Sequence, residues 1–329
     1  MNSVNSISYH LGNTFVVTRY KFYFFKISVS VILLAYLFQI TSVQLIVTKL
    51  KSIDPVYFVI ACIFSFVQII VNTIRWHQII GNIYGSMTFR NVFLCYYASS
   101  FFNLFLPGTL GSDTYRILSP HDPDISLKQS ANSVIIERVF STFGLFILII
   151  ISIPLMISRT NSILLAYLFT IIGLFLVIIA SVFLAFKKMN FINSENRVAR
   201  LLLSIKDDWN RAIKNLTGAT ALLVFGTIPH ILTIFAIYIL ALGLKSHITL
   251  WDCFAFLPSI FLIIMLPISL GGWGVREISM VTTFSYIGVT IDEAILLSVL
   301  IGALTIIVAL PGGLIWIYSR LGTRTTGKE

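Results

Sequence analysis

The chain has 329 residues, of which 57% are hydrophobic and 11% are charged, and its mean hydropathy is +0.93. Soluble domains carry about 25% charged residues, so this composition excludes a water-soluble globule and leaves no room for a sizeable soluble catalytic domain. The net charge of +10 requires no nucleic acid, because basic loops facing anionic lipid headgroups account for it. The sequence predicts an all-α polytopic membrane protein, with residues 1–329 as a single transmembrane domain.

Six apolar stretches reach the length of about 20 residues that a membrane-spanning helix needs. Two further apolar stretches are interrupted: residues 91–106 lead into LPGTLGSDTYR, and residues 251–270 lead into LPISLGGWGVRE. The sequence therefore predicts about six full transmembrane helices and two broken or re-entrant helical hairpins. The six predicted crossings are residues 24–47, 56–76, 131–157, 162–186, 217–243 and 291–319.

The two broken stretches resemble each other at an offset of 160 residues, with identical residues at five aligned positions. Interrupted helices at corresponding places in two halves of a chain indicate a binding site in proteins built from inverted repeats. Chance similarity between two breaks rich in Gly and Pro is the alternative. The identical pairs are Leu106/Leu266, Pro107/Pro267, Leu110/Leu270, Gly111/Gly271 and Arg116/Arg276.

The distribution of Lys and Arg predicts the orientation, because these residues accumulate on cytoplasmic loops. We place the N-terminus inside and let each hairpin start and end on the side from which it enters the membrane. Of the 23 basic residues, 17 then lie inside, four lie outside and two lie within membrane segments. This split predicts an inverted pair of hairpins, cytoplasmic N- and C-termini, and a basic cytoplasmic loop at 187–215. It does not distinguish a re-entrant second hairpin from two short crossings.

Ionisable residues within apolar segments are the main candidates for a functional site, because a buried charge is costly in a membrane. Adjacent residues on a helix do not face each other, so Glu137 and Arg138 each require a partner on another helix, and Arg276 and Glu277 raise the same question. A purely structural ion-pair network is the alternative interpretation. The candidate headgroup-binding residues are Arg116, Arg138, Arg276, Glu137, Glu277 and Asp113.

The breaks themselves are predicted to attract an anion. Backbone N–H groups at the ends of broken helices favour negative charge, and guanidinium groups beside them fit phosphate oxygens. Asp113 could instead hold an arginine in place or take up a proton, and the glycines could serve close helix packing. The predicted break residues are Pro107, Gly108, Gly111, Pro267, Gly271, Gly272 and Gly274.

Other conspicuous residues receive structural interpretations. Arg75, Trp76 and their neighbours close the second span, where such residues usually anchor a helix at the interface; a headgroup contact is the alternative. His230 after Pro229 predicts a kink with a hydrogen-bonded imidazole, and the PGG segment at 311–313 predicts a kink or close packing. No phosphate-binding loop or metalloprotease motif occurs in the sequence, so we expect no catalytic residues, no cofactor and no metal.

The order of motifs resembles the flippase-like transmembrane domain of lysylphosphatidylglycerol synthases, which also occurs as stand-alone inner-membrane proteins and fused to archaeal glycosyltransferases. Ser112 stands where that family usually has a second Gly, and Trp273 replaces a more common small aliphatic residue. The synthase's aminoacyl transfer belongs to a separate soluble domain, so it is not carried over. The matching segments are IRWHQII at 74–80, FNLFLPGTLGSDTYR at 102–116, Glu137-Arg138, LPISLGGWGVRE at 266–277 and LPGG at 310–313.

The resemblance implies movement of a lipid with an anionic or zwitterionic headgroup between the leaflets of the inner membrane. The expected partner is a membrane lipid with a phosphate-containing headgroup and not a nucleic acid, with a homo-oligomer or an envelope biosynthetic enzyme as further partners. Two alternatives stay open. One is a membrane-embedded transferase with Asp113 or Glu137 as base, and the other is an accessory subunit of an envelope lipid enzyme, packed without a cavity.

Overall fold

The structure is a computed structural model that describes residues 53–85, 87–104, 110–119, 125–160, 197–265 and 272–325, with a few isolated positions elsewhere. These residues form helices joined by turns, and no β-strand occurs among them, which confirms the all-α class. In chain order the helices are α1 Pro55–Tyr84, α2 Phe89–Phe102, α3 Leu110–Leu118, α4 Leu127–Thr160, α5 Arg197–Ala212, α6 Leu216–Gly243, α7 Leu250–Met265, α8 Val275–Phe284, a 3-10 turn Ser285–Ile287, and α9 Ile291–Thr325.

Four of these helices are long and apolar enough to cross a membrane: α1, α4, α6 and the Ile291–Ser319 part of α9. They contain 28 to 34 residues, more than the about 20 that a crossing requires. They correspond to the predicted spans at 56–76, 131–157, 217–243 and 291–319. The predicted spans at 24–47 and 162–186 lie outside the described residues, so the number of six crossings stays a prediction.

Two of the long helices begin at residues that cap them. The Asp54 carboxylate accepts a hydrogen bond of 2.9 Å from the Val56 N–H, and Pro55 occupies the first helical position, where its missing N–H costs nothing. The Asn215 side chain accepts a 2.7 Å bond from the Gly218 N–H. Local sequence therefore determines where α1 and α6 start.

The two interrupted stretches fold into similar units. α2 has 14 residues and is followed, after the first break, by α3 with nine. α7 has 16 residues and is followed, after the second break, by α8 with ten. Each helix is too short to cross a bilayer alone, which agrees with the predicted broken hairpins. The inverted relation between the two units stays a prediction.

The predicted loop at 187–215 is wrong for residues 197–212, which form α5. The Asp208 carboxylate on α5 accepts hydrogen bonds from the Tyr84 hydroxyl (2.8 Å) and the Asn132 amide (2.7 Å). The Trp209 ring stacks on Phe140 with ring centroids 5.2 Å apart. The apolar residues Leu202, Ile205 and Trp209 recur at helical spacing and indicate this helix in the sequence. The many charged residues between them made the segment resemble a loop.

The largest cluster of buried hydrophobic residues joins helices from the carboxyl-terminal part of the described chain. Its buried residues come mainly from α6, α7, α8 and α9, and Phe256 and Phe284 meet there edge to face at 6.1 Å. α9 also packs against α2, where a Cβ atom on Gly312 would lie 2.1 Å from the Tyr97 carbonyl oxygen. The predicted close packing at the PGG segment is thus confirmed, and it brings α9 beside the first broken unit.

Candidate functional site

The first cluster of charges centres on Glu137 in α4, whose side chain is fully buried. Arg75 from α1 donates a hydrogen bond to Glu137 Oε1, and both terminal nitrogens of Arg116 from α3 lie 3.4 Å from Oε2. A buried carboxylate needs such partners, because an uncompensated charge is strongly destabilising. The prediction that Glu137 pairs with another helix is confirmed, and the carboxylate ties three helices together.

Arg116 is enclosed on every side that the structure describes. Its side chain has 0% exposure and donates a 2.7 Å bond to Asp113 Oδ1. Its guanidinium carbon lies 5.0 Å from the centroid of the Trp76 ring and 4.8 Å from that of Tyr96, distances typical of cation–π contacts. Arg116 therefore holds the carboxylates of Asp113 and Glu137 in place, and its own charge is not accessible to a ligand.

The interpretation of Arg75 and Trp76 as interfacial anchors is wrong. Their exposures are 1% and 3%. Arg75 also bonds the Phe225 carbonyl oxygen at 3.0 Å, and the Trp76 indole donates to the Ser133 hydroxyl at 3.2 Å. α1 continues to Tyr84, two turns beyond the predicted end of the span, and this places both side chains inside the bundle.

Arg138 differs from its neighbour Glu137 because it turns toward open space. Its Nε and Nη2 bond the Asp113 carboxylate at distances of 2.6 to 3.1 Å. The prediction of a partner on another helix is confirmed here too. The side chain is 26% exposed, and its Nη1 has no hydrogen-bond partner among the described residues. Arg138 is thus held by Asp113 on one side and partly exposed on the other.

Gly111 allows this arrangement by bringing α3 against the end of α2. A Cβ atom at this position would lie 2.1 Å from the Phe102 carbonyl oxygen, a distance that no side chain tolerates. The close approach positions Asp113 and Arg116, which follow on α3. The preceding break residues Pro107 and Gly108 lie outside the described residues.

At the second break, Glu277 folds back over the start of α8. Its Oε2 accepts a 2.6 Å bond from the Gly274 N–H, and its Oε1 accepts bonds from Arg276 (2.7 Å) and from the Ser298 hydroxyl (2.9 Å). The expectation that Arg276 and Glu277 do not face each other is wrong, because a side chain in the first turn can reach back across the helix end. The Gly274 N–H, predicted to attract an anion, is satisfied internally.

The second break also requires backbone conformations that favour glycine. Gly272 and Gly274 have φ angles of 79° and 87°, in the left-handed region that other residues rarely adopt. Trp273 lies between them, and the Arg276 guanidinium carbon stacks 4.7 Å from the centroid of its ring. Pro267 and Gly271 lie outside the described residues. The turn therefore presents Trp273 and Arg276 together on one side.

A cavity of about 580 Å³ lies where the two units meet. Residues beside both breaks line it, including Asn103 and Trp273, together with Arg138 and Arg276. A second cavity of about 350 Å³ shares Arg138 and further polar residues with the first and is also lined by Arg75. The residues common to both cavities are Gln68, Asn103, Arg138, Ser141, His230, Thr233 and Thr305.

Among the described residues, the charged side chains that line these cavities are Arg75, Arg138 and Arg276. Each of them is paired with a carboxylate, from Glu137, Asp113 and Glu277 respectively, that does not itself line a cavity. The His230 ring nitrogen lies 3.0 Å from the Ser141 carbonyl oxygen, so the expected hydrogen-bonded imidazole is confirmed. Within the part of the chain that the structure describes, no group of His, Cys, Asp and Glu has the geometry of a metal site.

The apolar helices, and the arginines that line a cavity between the broken units, define a helical membrane protein with charged residues in its interior. The family described as the lysylphosphatidylglycerol synthase TM region matches residues 23–313, and the chain belongs to this family. No curated protein matches the chain. The family makes this a membrane-embedded protein related to lipid biosynthesis or transport.

Proposed function

We propose that the protein moves a lipid with an anionic or zwitterionic headgroup between the leaflets of the inner membrane. Arg138 and Arg276 bind the headgroup phosphate. The main support is that these two arginines, from different halves of the chain, line one cavity. Each has a terminal nitrogen, Nη1, without a hydrogen-bond partner among the described residues. Guanidinium groups placed in this way suit the oxygens of a phosphate.

The apolar residues that line the cavity favour a lipid as the substrate instead of a water-soluble anion. Met265, Ile306 and Leu310 line the cavity and are 39 to 50% exposed. An opening with apolar walls lets the acyl chains stay in the bilayer while the headgroup reaches Arg138 and Arg276. The proposed orientation places both termini in the cytoplasm, on the charge distribution of the sequence.

The alternatives have less support. A transferase needs a carboxylate that can reach a substrate hydroxyl. Glu137 is held by two arginines and Asp113 by two, and neither carboxylate lines either cavity. An accessory subunit packed without a cavity does not fit the two cavities that the described helices enclose. No single observation favours either alternative over transport.

The test is lipid movement in reconstituted vesicles that carry fluorescent phosphatidylglycerol, compared between the wild type, Arg138→Gln and Arg276→Gln. We expect each substitution to slow transport at least about tenfold, since a hydrogen bond to a charged group contributes about 1.5–3 kcal/mol. Arg138→Lys should restore little, because an ammonium group lacks the planar fork.

Arg159→Gln is the matched control. Arg159 lies on the same helix as Arg138 but pairs with Asp252 at 3.2 Å, outside both cavities, so this variant should transport normally. Thermal unfolding of each variant separates a lost ligand contact from a lost fold. Normal transport by both Arg138→Gln and Arg276→Gln would refute the headgroup site.

A further inference from the structure

A third cavity, of about 500 Å³, lies toward the opposite end of α4 from the ion cluster. It shares no lining residue with the two cavities beside Arg138. Arg159, which lines it, lies about 30 Å further along α4 than Arg138, at the rise of about 1.5 Å per residue of an α-helix. The last turn of α4 and the first turns of α7 and α9 meet here, far from the proposed headgroup site.

Two of these helices follow the same sequence pattern, a threonine before the helix and an acidic residue three positions later. At α7 the pattern forms a capping box: the Asp252 carboxylate accepts a 2.8 Å bond from the Thr249 N–H, and the Asp252 N–H donates to the Thr249 hydroxyl at 3.2 Å. At α9 the Glu293 N–H donates to the Thr290 hydroxyl at 3.4 Å. No bond returns from the Thr290 N–H to the Glu293 carboxylate, so this carboxylate does not cap its own helix.

Glu293 instead lines the third cavity, and its Oε1 atom is buried without a hydrogen-bond partner among the described residues. Native proteins satisfy nearly all such atoms, because an unpaired buried acceptor costs free energy. Asp252, the other carboxylate in the lining, is paired with Arg159 at 3.2 Å, whereas Glu293 forms no ion pair within the described chain. With His247 neutral, the lining side chains therefore carry one net negative charge, which belongs to Glu293.

We propose that the third cavity binds a ligand with a primary ammonium group, which donates a hydrogen bond to the Glu293 carboxylate. An ammonium group has three N–H donors and no acceptor, so it supplies both the missing hydrogen bond and the opposite charge. Two sources have this chemistry, the headgroup of an aminophospholipid and a soluble amine. The inference goes beyond the proposed transport function and does not depend on it.

The lining of the cavity argues against two other cations. Quaternary ammonium groups are recognised by aromatic side chains, and no Phe, Tyr or Trp of the described chain lines this cavity. A metal ion needs several oxygen or nitrogen ligands at once, and no group of His, Cys, Asp and Glu in the described ranges has that geometry. Ile287 and Val289 also line the cavity, where they can contact the methylene groups that carry an amine.

The experiment measures binding to the full chain in detergent micelles by titration calorimetry, at about pH 8, where an ordinary imidazole is neutral. The probes form two matched pairs that differ only in three N-methyl groups: dihexanoyl-phosphatidylethanolamine with dihexanoyl-phosphatidylcholine, and ethanolamine with choline. We expect the primary amine of at least one pair to bind at least about tenfold more tightly than its quaternary partner. A preference in the lipid pair alone identifies a lipid headgroup, and a preference in the soluble pair identifies a soluble amine. Equal affinities within both pairs, or no binding, would overturn the proposal.

Glu293→Gln assigns the preference to this cavity, because the substitution keeps the shape of the side chain and removes its charge. We expect it to weaken binding of the preferred amine at least about tenfold and to leave binding of the quaternary partner unchanged. Asp292→Asn is the matched control, since Asp292 lies in the same helical turn but does not line the cavity; it should bind as the wild type does.

Thermal unfolding without ligand separates a binding role of Glu293 from a structural one. The melting temperature of Glu293→Gln should be close to that of the wild type, because the carboxylate has no partner in the described chain to lose. Unchanged amine binding in Glu293→Gln, or an equal loss in Asp292→Asn, would refute the proposed site. A large fall in melting temperature would also contradict it, since Glu293 would then be a structural residue.

Discussion

Glu137→Gln should be the most damaging single change in the ion cluster. The substitution keeps the shape of the side chain but removes its charge, so Arg75 loses its carboxylate partner, and Asp113 alone remains to pair with Arg116 and Arg138. Arg75 and Arg116 are at most 1% exposed, so contact with water replaces little of the lost interaction. Removing one partner of a buried ion pair costs about 3–5 kcal/mol, and we expect a loss of this size.

The compensating variant adds Arg75→Gln to Glu137→Gln. The double variant restores the original difference between positive and negative charges, and its two amides can hydrogen-bond to each other. We expect it to be more stable than Glu137→Gln alone by at least about 1 kcal/mol, within the range of coupling energies measured between contacting residues.

The assay is reversible unfolding in mixed detergent micelles, with the free energy of unfolding compared in a double-mutant cycle. Asp207→Asn is the control, because Asp207 is exposed on α5, and it should change stability by less than about 0.5 kcal/mol. A double variant whose loss equals the sum of the single losses would refute the view that Glu137 acts mainly as the counter-ion of buried arginines.

Two further predictions concern packing and topology. Gly111→Ala places a methyl group about 2 Å from the Phe102 carbonyl and should lower stability by about 1–3 kcal/mol in thermal unfolding. The control Gly81→Ala has no atom within 4 Å of its new Cβ and should leave stability unchanged. Equal melting temperatures for the two variants would show that α2 and α3 do not touch as described. Single cysteines at positions 200 and 325, in a chain lacking Cys62, Cys95 and Cys253, should resist impermeant thiol reagents in intact cells, and labelling of either would reverse the proposed orientation.

Local sequence was sufficient to locate most helices of this protein. Long apolar runs predicted α1, α4, α6 and α9, because a run of that length satisfies its backbone only as a helix in lipid. The Gly- and Pro-containing segments predicted both interruptions, because these residues interrupt a helix through their own backbone properties. The amphipathic helix α5 was missed where a high density of charge concealed its helical spacing.

The roles of the charged residues could not be predicted from the sequence alone. Arg116 and Arg138 both lie near the first break, yet one is sealed between aromatic rings and the other faces the cavity. In the sequence, Arg75 lies where an interfacial anchor is common. Its pairing with Glu137, 62 positions away, depends on how α1 and α4 pack and places it inside the bundle.

By itself, then, the sequence determined that this is a helical membrane protein with two broken units and a set of arginines and carboxylates beside them. Only the tertiary structure decided which charged side chains are enclosed and which line a cavity. The physical reason is that composition and hydropathy act along the chain, whereas the pairing of a buried charge depends on which helix packs opposite it. At Arg138 and Arg276, that packing leaves guanidinium nitrogens facing an open cavity.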